Sequence, residues 1–543
     1  MTTADLIQQT LRKPPFFPRQ GFCGGPGNPP QKLSIPAVFV DTRLPTLAPY
    51  VLPSSVINVN GVLGVTCVTL TEVAELKKED GHFQVTHQEG DFHLPCSISR
   101  LTFDFDGTLL GLVGSVGSKS EPQEARPIGP IGRIGGTEQV RQQAFLATVA
   151  AYYARSGLAV INNEEQYQDF ATNVYCAKFF PKIQGKPEWL MARIIARELL
   201  NDGNTALLDE VAKRSPIFRL FEDDKNGPPI PMLTGERLIR CLKSGWLTYG
   251  GIAKLLNLTE QTLKEQVASL KKESSEPNCG TPVDFTAYEA AVKLELGKTM
   301  SSHPSLAASN AILQGVSGGI IDPRYVLNAA GGLVRIEWLR QAKHYLEEGR
   351  QRSMEILKLV PGIERLIRTA ISAGKEIRLC SAGDGAFIRL CLSFSQLKDL
   401  SLTNSVFANN YPRVEPKPGP GLHSLSLIAG AVPEQPLDPS CVAIFEDSPA
   451  GAVSASICGL YFENERWNAA LSQDDIPQAQ RRGCRVQLPG LVIVSPSQDP
   501  QATVEAINTE LLRQASWLRD NNIPRRIIVL NASTKPGFES VTL

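Results

Sequence analysis

Hydrophobic and polar positions change period several times along the chain, and each change predicts an element. Residues 101–110 read Leu-Thr-Phe-Asp-Phe-Asp-Gly-Thr-Leu-Leu, an apolar run of strand length that ends in a Gly turn. Strand side chains alternate, so Asp104 and Asp106 point to one face. Helical period begins near residue 137 and runs to about 274: 142–154 is rich in Ala, Leu and Gln, and 189–200 places Leu190, Ile194, Ile195 and Leu199 on one face. Residues 249–270 predict a helix-turn-helix. Ile252, Ala253, Leu255 and Leu256 pack its first helix, Asn257 takes the turn, and Thr259 caps a second helix carrying Leu263 and Val267. Helical pattern resumes at 285–296 and 336–359. From residue 357 the chain reads as a helix opened after Pro361-Gly362 and feeding a strand at 376–380, a helix-to-parallel-strand unit. Residues 441–459 repeat the theme, with a strand ending in Glu446 and Asp447 before a turn and helix, and 491–495 and 502–518 read as a last strand and an amphipathic helix.

Between these lie the breaks. Residues 1–35 carry Pro14, Pro15, Pro18, Pro26, Pro29 and Pro30 beside Gly24, Gly25 and Gly27, an extended arm. Residues 37–98 hold β-rich segments at 56–70 and 82–86, a small β-rich unit. Residues 114–136 have loop composition, 274–284 form a polar break, and the glycines of 314–322 lack the following Lys-Ser or Lys-Thr of a P-loop, so they read as an inter-helix connection.

Composition narrows the picture. At 543 residues the chain exceeds one core, so roughly two to four domains are expected. With 55 basic and 55 acidic side chains there is no net pull toward nucleic acid, and the mixed charges of 260–272 read as a packing unit and not as a DNA reader. Eleven cysteines with no Cys-x-x-Cys pair read as reduced thiols. His82, His87 and His93 near Cys96 fit no zinc spacing and read as alternation on a hairpin. Met1 opens no signal-peptide pattern and no run is apolar enough to span a membrane, so a cytoplasmic protein is expected.

The chemistry enters with a resemblance. A strand running into Asp104-Phe105-Asp106-Gly107-Thr108 resembles the first motif of the haloacid dehalogenase superfamily, whose members mostly hydrolyse or transfer phosphoryl groups through an aspartyl-phosphate. The strand ending at Ser381 is similar to its second motif, Lys417 in Glu-Pro-Lys-Pro-Gly-Pro to its third, and Glu446-Asp447 to its fourth, in the family's order. The likeness covers 97–113 and about 354–507 and is closest to the branch with helical caps. It departs in an insertion far larger than the usual cap and in Gly421, where the family often has Asp.

The resemblance implies an α/β fold, a doubly wound, Rossmann-like parallel sheet. Its core is 98–113 with 354–507, interrupted by a large mainly helical cap at 114–353, preceded by the arm and β-rich unit at 1–97 and followed by a helix end and tail at 508–543. It implies Asp104 as nucleophile and Asp106 as general acid and base. Ser381, Lys417 and Thr108 would hold the phosphoryl group, and Asp104, Asp106, Asp447 and Glu446 the magnesium shell. The expected activity is magnesium-dependent hydrolysis of a small phosphorylated metabolite. The alternatives are a phosphomutase, or a scaffold or binding protein whose cap and N-terminal unit engage a macromolecular partner such as a protein.

Overall fold

The computed structural model describes residues 83–88, 90–111, 136–222, 235–269, 283–298, 303–348, 356–408, 422–423, 426, 441–457, 491–495, 499–514, 525–530 and 536–543. The expected arm at 1–35, the segment 56–70, His82 and the Lys417 motif lie outside them. The chain divides into two compact units: helices spanning Phe145–Gln341, and a sheet-containing unit that includes the described residues up to Ala144 and those from Ala342 on.

The second unit is α/β. Its strands are β1 Phe83–Gln88, β2 Phe92–His93, β3 Arg100–Phe103, β4 Glu376–Ser381, β5 Val406–Ala408, β6 Val442–Glu446, β7 Leu491–Val494, β8 Arg525–Leu530 and β9 Val541–Thr542. Seven form one parallel sheet in the order β1-β8-β7-β6-β3-β4-β5, and β2 pairs with β9. β3, β6 and β7 are buried at every position. Both faces of a central parallel strand are covered, which is why β6 and β7 read as nearly continuous apolar runs, while β3 also buries Arg100 and Thr102. Phe103 stacks on Phe445 with ring centroids 4.5 Å apart, and Phe538 meets Phe445 edge-on at 5.5 Å.

β3 sits between β4 and β6, as a shared site for Asp104 and Asp447 requires. From β3 the chain builds outward to β4 and β5 on one side, then returns to lay down β6, β7 and β8 on the other. β3 is therefore where the winding reverses, and ligands of such sheets bind at the carboxyl ends of the strands there. The insertion leaves and re-enters at one place. Gly111 donates its N–H to the Lys358 carbonyl at 2.8 Å, Val360 donates to the Leu109 carbonyl at 3.1 Å, and Leu110 bridges Leu359.

Two segments expected outside the core are strands of the sheet. β1 lies at its edge on β8, and β8 itself comes from the expected C-terminal tail, where Ile527, Ile528, Val529 and Leu530 form a buried apolar run. The last residues also dock: Phe538 donates to the Pro361 carbonyl at 2.9 Å, and Ser495 Oγ to the Gly537 carbonyl at 2.8 Å.

The helical unit packs around Trp246, Trp338, Tyr152, Tyr175 and Phe145, with Phe145 stacked on Trp338 at 4.8 Å. The helix-turn-helix forms as Tyr249–Leu255 and Glu260–Ser269. Asn257 adopts φ +56° in the turn, Thr259 Oγ1 accepts the Thr262 N–H at 3.0 Å, and Ile252, Ala253, Leu263 and Val267 are buried. Asn tolerates the left-handed turn because its short side chain can bond locally. Among the described residues no helix is long and apolar enough to cross a membrane, and Cys96, Cys176, Cys241, Cys380, Cys391 and Cys441 are free thiols.

Candidate active site

Asp104 follows β3 directly and donates its N–H to the Phe445 carbonyl at 2.9 Å. Phe103 pairs with Phe445, so the parallel register sets Asp104 level with Glu446, and both side chains leave the same face. Asp447 comes one residue later, in the turn, and lies over Gly107. That glycine has φ +82°, and a Cβ there would stand 1.9 Å from Asp447 Oδ2. The glycine thus serves twice, accepting a left-handed backbone and leaving room for a carboxylate.

Each of Asp104, Glu446 and Asp447 offers a carboxylate oxygen within 4.8 Å of the others, the first two from buried positions. Among the described residues this is the one such group of potential metal ligands; His93 is exposed and joined to Thr542 Oγ1 at 2.6 Å instead. Like charges this close repel strongly once withdrawn from water, so the arrangement calls for a cation. Hard oxygen donors with no sulfur or imidazole among them suit magnesium.

Asp106 is half-buried and aimed differently. Thr137 Oγ1 donates to its Oδ1, and the Arg141 guanidinium donates to its Oδ2 at 3.0 Å. Arg141 is also paired with Glu138 and lies 5.4 Å from the centroid of the Phe387 ring. The motif places two carboxylates on one strand end. The structure gives them different surroundings, with Asp104 in the acidic cluster and Asp106 turned to donors on the helix Gly136–Arg155. Thr137, Glu138 and Arg141 were not anticipated as site residues. Their signal is a Thr-Glu pair opening a helix after Gly135-Gly136, with one arginine a turn later in an apolar stretch.

Ser381 ends β4 on the other flank of β3 and is buried, its Oγ accepting the Gly383 N–H at 3.1 Å in the turn leading to Asp384. Asp384 caps the helix Gly385–Phe394 by accepting from Ala386 and Phe387. Thr108 sits in the turn after Gly107. It is completely buried, and its hydroxyl finds no hydrogen-bond partner among the described residues, so it is not offered to solvent beside Asp104. The tight turn 106–110, closed by Gly107 N–H donating to Leu110 O at 2.9 Å, carries it inward. Lys417 lies outside the described residues.

A second charged cluster sits at the opposite, amino ends of the strands. Glu376 accepts from Arg100 at 2.6 Å and from Arg378 at 2.7 Å. Burial pushes the Arg378 guanidinium down to about 10, with the neighbouring Arg100 charge adding to it. For Glu376 burial acts upward, yet the charges of Arg378 and Arg100 with their hydrogen bonds hold its carboxyl below the ordinary value. This cluster ties strands together and stands away from the site.

No protein-family model matches the chain, and no curated protein matches it. Two solved structures are similar: CbbY from Rhodobacter sphaeroides, in one case a mutant in complex with xylulose-(1,5)bisphosphate and in the other the protein in complex with phosphate. Each is 13% identical, with 74% of this chain and 86% of that chain covered and a TM-score of 0.24. A score that low carries no argument, and the reading of the site rests on its own geometry.

Proposed function

We propose that this protein is a magnesium-dependent phosphomonoester hydrolase that works through an aspartyl-phosphate on Asp104. The observation that carries the reading is the convergence of Asp104, Glu446 and Asp447 within 4.8 Å at the carboxyl edge of β3 and β6, where the winding of the sheet reverses. The order of the sequence motifs supports it independently.

A phosphate ester and a carboxylate nucleophile repel each other, and a bound magnesium ion would supply the positive charge that lets them approach. Asp104, Glu446, Asp447 and the Asp106 carbonyl would hold that ion. Asp104 attacks phosphorus. Asp106, held by Thr137 and Arg141, gives its proton to the leaving oxygen and then takes one from the water that cleaves the acyl phosphate. Ser381 and Lys417 receive the phosphoryl oxygens, Lys417 as a point cation. A small phosphorylated metabolite is the substrate.

A magnesium-dependent assay across a panel of phosphomonoesters, run on the wild type, Asp104→Asn and Asp106→Asn, tests the reading. Loss of the nucleophile abolishes turnover, whereas loss of the proton shuttle slows it by about 100- to 10,000-fold. Wild-type rates in both variants would refute the assignment.

A further inference from the structure

We propose that His423 is a positioning residue for the Glu446 carboxylate and, through it, for the divalent cation; the inference rests on the magnesium-site reading above. Both side chains are completely buried, and His423 Nε2 lies 2.9 Å from Glu446 Oε1. A carboxylate only accepts hydrogen bonds, so Nε2 donates. The other carboxylate oxygen, Oε2, rests over Gly451, where a Cβ would approach to 2.0 Å. One oxygen is therefore set by the imidazole and the other has its room guaranteed by a glycine.

The backbones on both sides are fixed as well. Glu446 closes β6 and its carbonyl accepts from Ser495 at 3.0 Å. His423 and Ser426 are helical; Ser426 Oγ donates to the His423 carbonyl at 2.8 Å, and Arg378 of β4 donates to the Ser426 carbonyl. Left alone, a glutamate among three carboxylates would rotate away from Asp104 and Asp447 to lower repulsion. Holding one oxygen keeps the side chain in its ligating rotamer before the ion arrives, and hydrogen bonds of this kind to metal-ligating carboxylates strengthen binding.

The test is Mn2+ titration of the full-length, metal-stripped protein without substrate, followed by electron paramagnetic resonance, with a thermal melt of every variant. His423→Phe is expected to weaken Mn2+ binding about 10- to 100-fold. His423→Gln, whose amide nitrogen reaches the Nε2 position, should restore it to within a few-fold, while His423→Asn, whose amide stops near Nδ1, should not. In a Glu446→Gln background His423→Phe should add no further loss. Unchanged affinity in His423→Phe, or an equal loss in both backgrounds, would overturn the inference. Should His423→Phe not fold, the Gln and Asn variants decide, and equal affinities in those two sink it. A wild type that binds no Mn2+ defeats the magnesium reading itself, whereas weakening by Glu446→Gln alone defeats only the role of His423.

Discussion

Gly107→Ala separates the site from the scaffold, because the structure contains a matched control. Gly107 and Gly90 have nearly the same backbone angle, φ +82° and +81°, but a Cβ at Gly107 would stand 1.9 Å from Asp447 Oδ2, while one at Gly90 meets nothing within 4 Å. Both substitutions incur the left-handed penalty, about 1–2 kcal/mol, which corresponds to a fall in Tm of roughly 2–8 °C for a domain of this class. In Gly107→Ala the Asp447 carboxylate must also retreat by roughly 1.5 Å to restore ordinary van der Waals contact, and a displacement of that order can lower turnover by about 100-fold. The assay is hydrolysis of p-nitrophenyl phosphate against magnesium concentration, with Tm by circular dichroism. Gly107→Ala should lose metal affinity and rate at a melting temperature close to that of Gly90→Ala, which should keep both. If the two variants behave alike in rate and metal dependence, Asp447 is not a working part of the site.

The Thr108 hydroxyl is buried without a partner among the described residues, so Thr108→Val should leave KM unchanged and hold or raise Tm; a large rise in KM would restore it as a phosphate ligand. The folded-state pKa of Glu376 is lowered from 4.5, so its contribution to stability is present above that value and lost as pH falls through the lower one. Chemical denaturation between pH 6 and about 3 should show this loss, and Glu376→Gln should flatten it; parallel curves would contradict the ion pairs seen here. The helix-turn-helix should not bind duplex DNA, since its Lys264 is paired with Glu260 at 2.5 Å; nanomolar, salt-sensitive binding lost on Lys264→Ala would reverse that reading.

Much of this was legible locally. The buried runs of β6 and β7 declare themselves because a central parallel strand is apolar on both faces, and Asp104, Glu446 and Asp447 stand out as charges with no local reason to end β6 or follow β3. The helix-turn-helix was legible down to Asn257 and Thr259, because turn and cap chemistry depends on a few adjacent residues. The edge strand β1 and strand β8 were not, for a short β-prone or apolar run does not say which sheet it joins.

By itself the sequence determined the central strands, the helix-turn-helix and the chemical character of Asp104, Asp106, Glu446 and Asp447. Only the tertiary structure decided which of them meet. Whether Asp106 joins the acidic cluster or turns to Thr137 and Arg141, whether Thr108 faces solvent or core, and that His423 reaches Glu446 depend on turn geometry and strand register between segments far apart in the chain. Local pattern encodes burial and period, which are properties of neighbours in sequence. Contact between distant side chains is settled when the whole sheet closes, and a one-residue shift in register would send them to opposite faces.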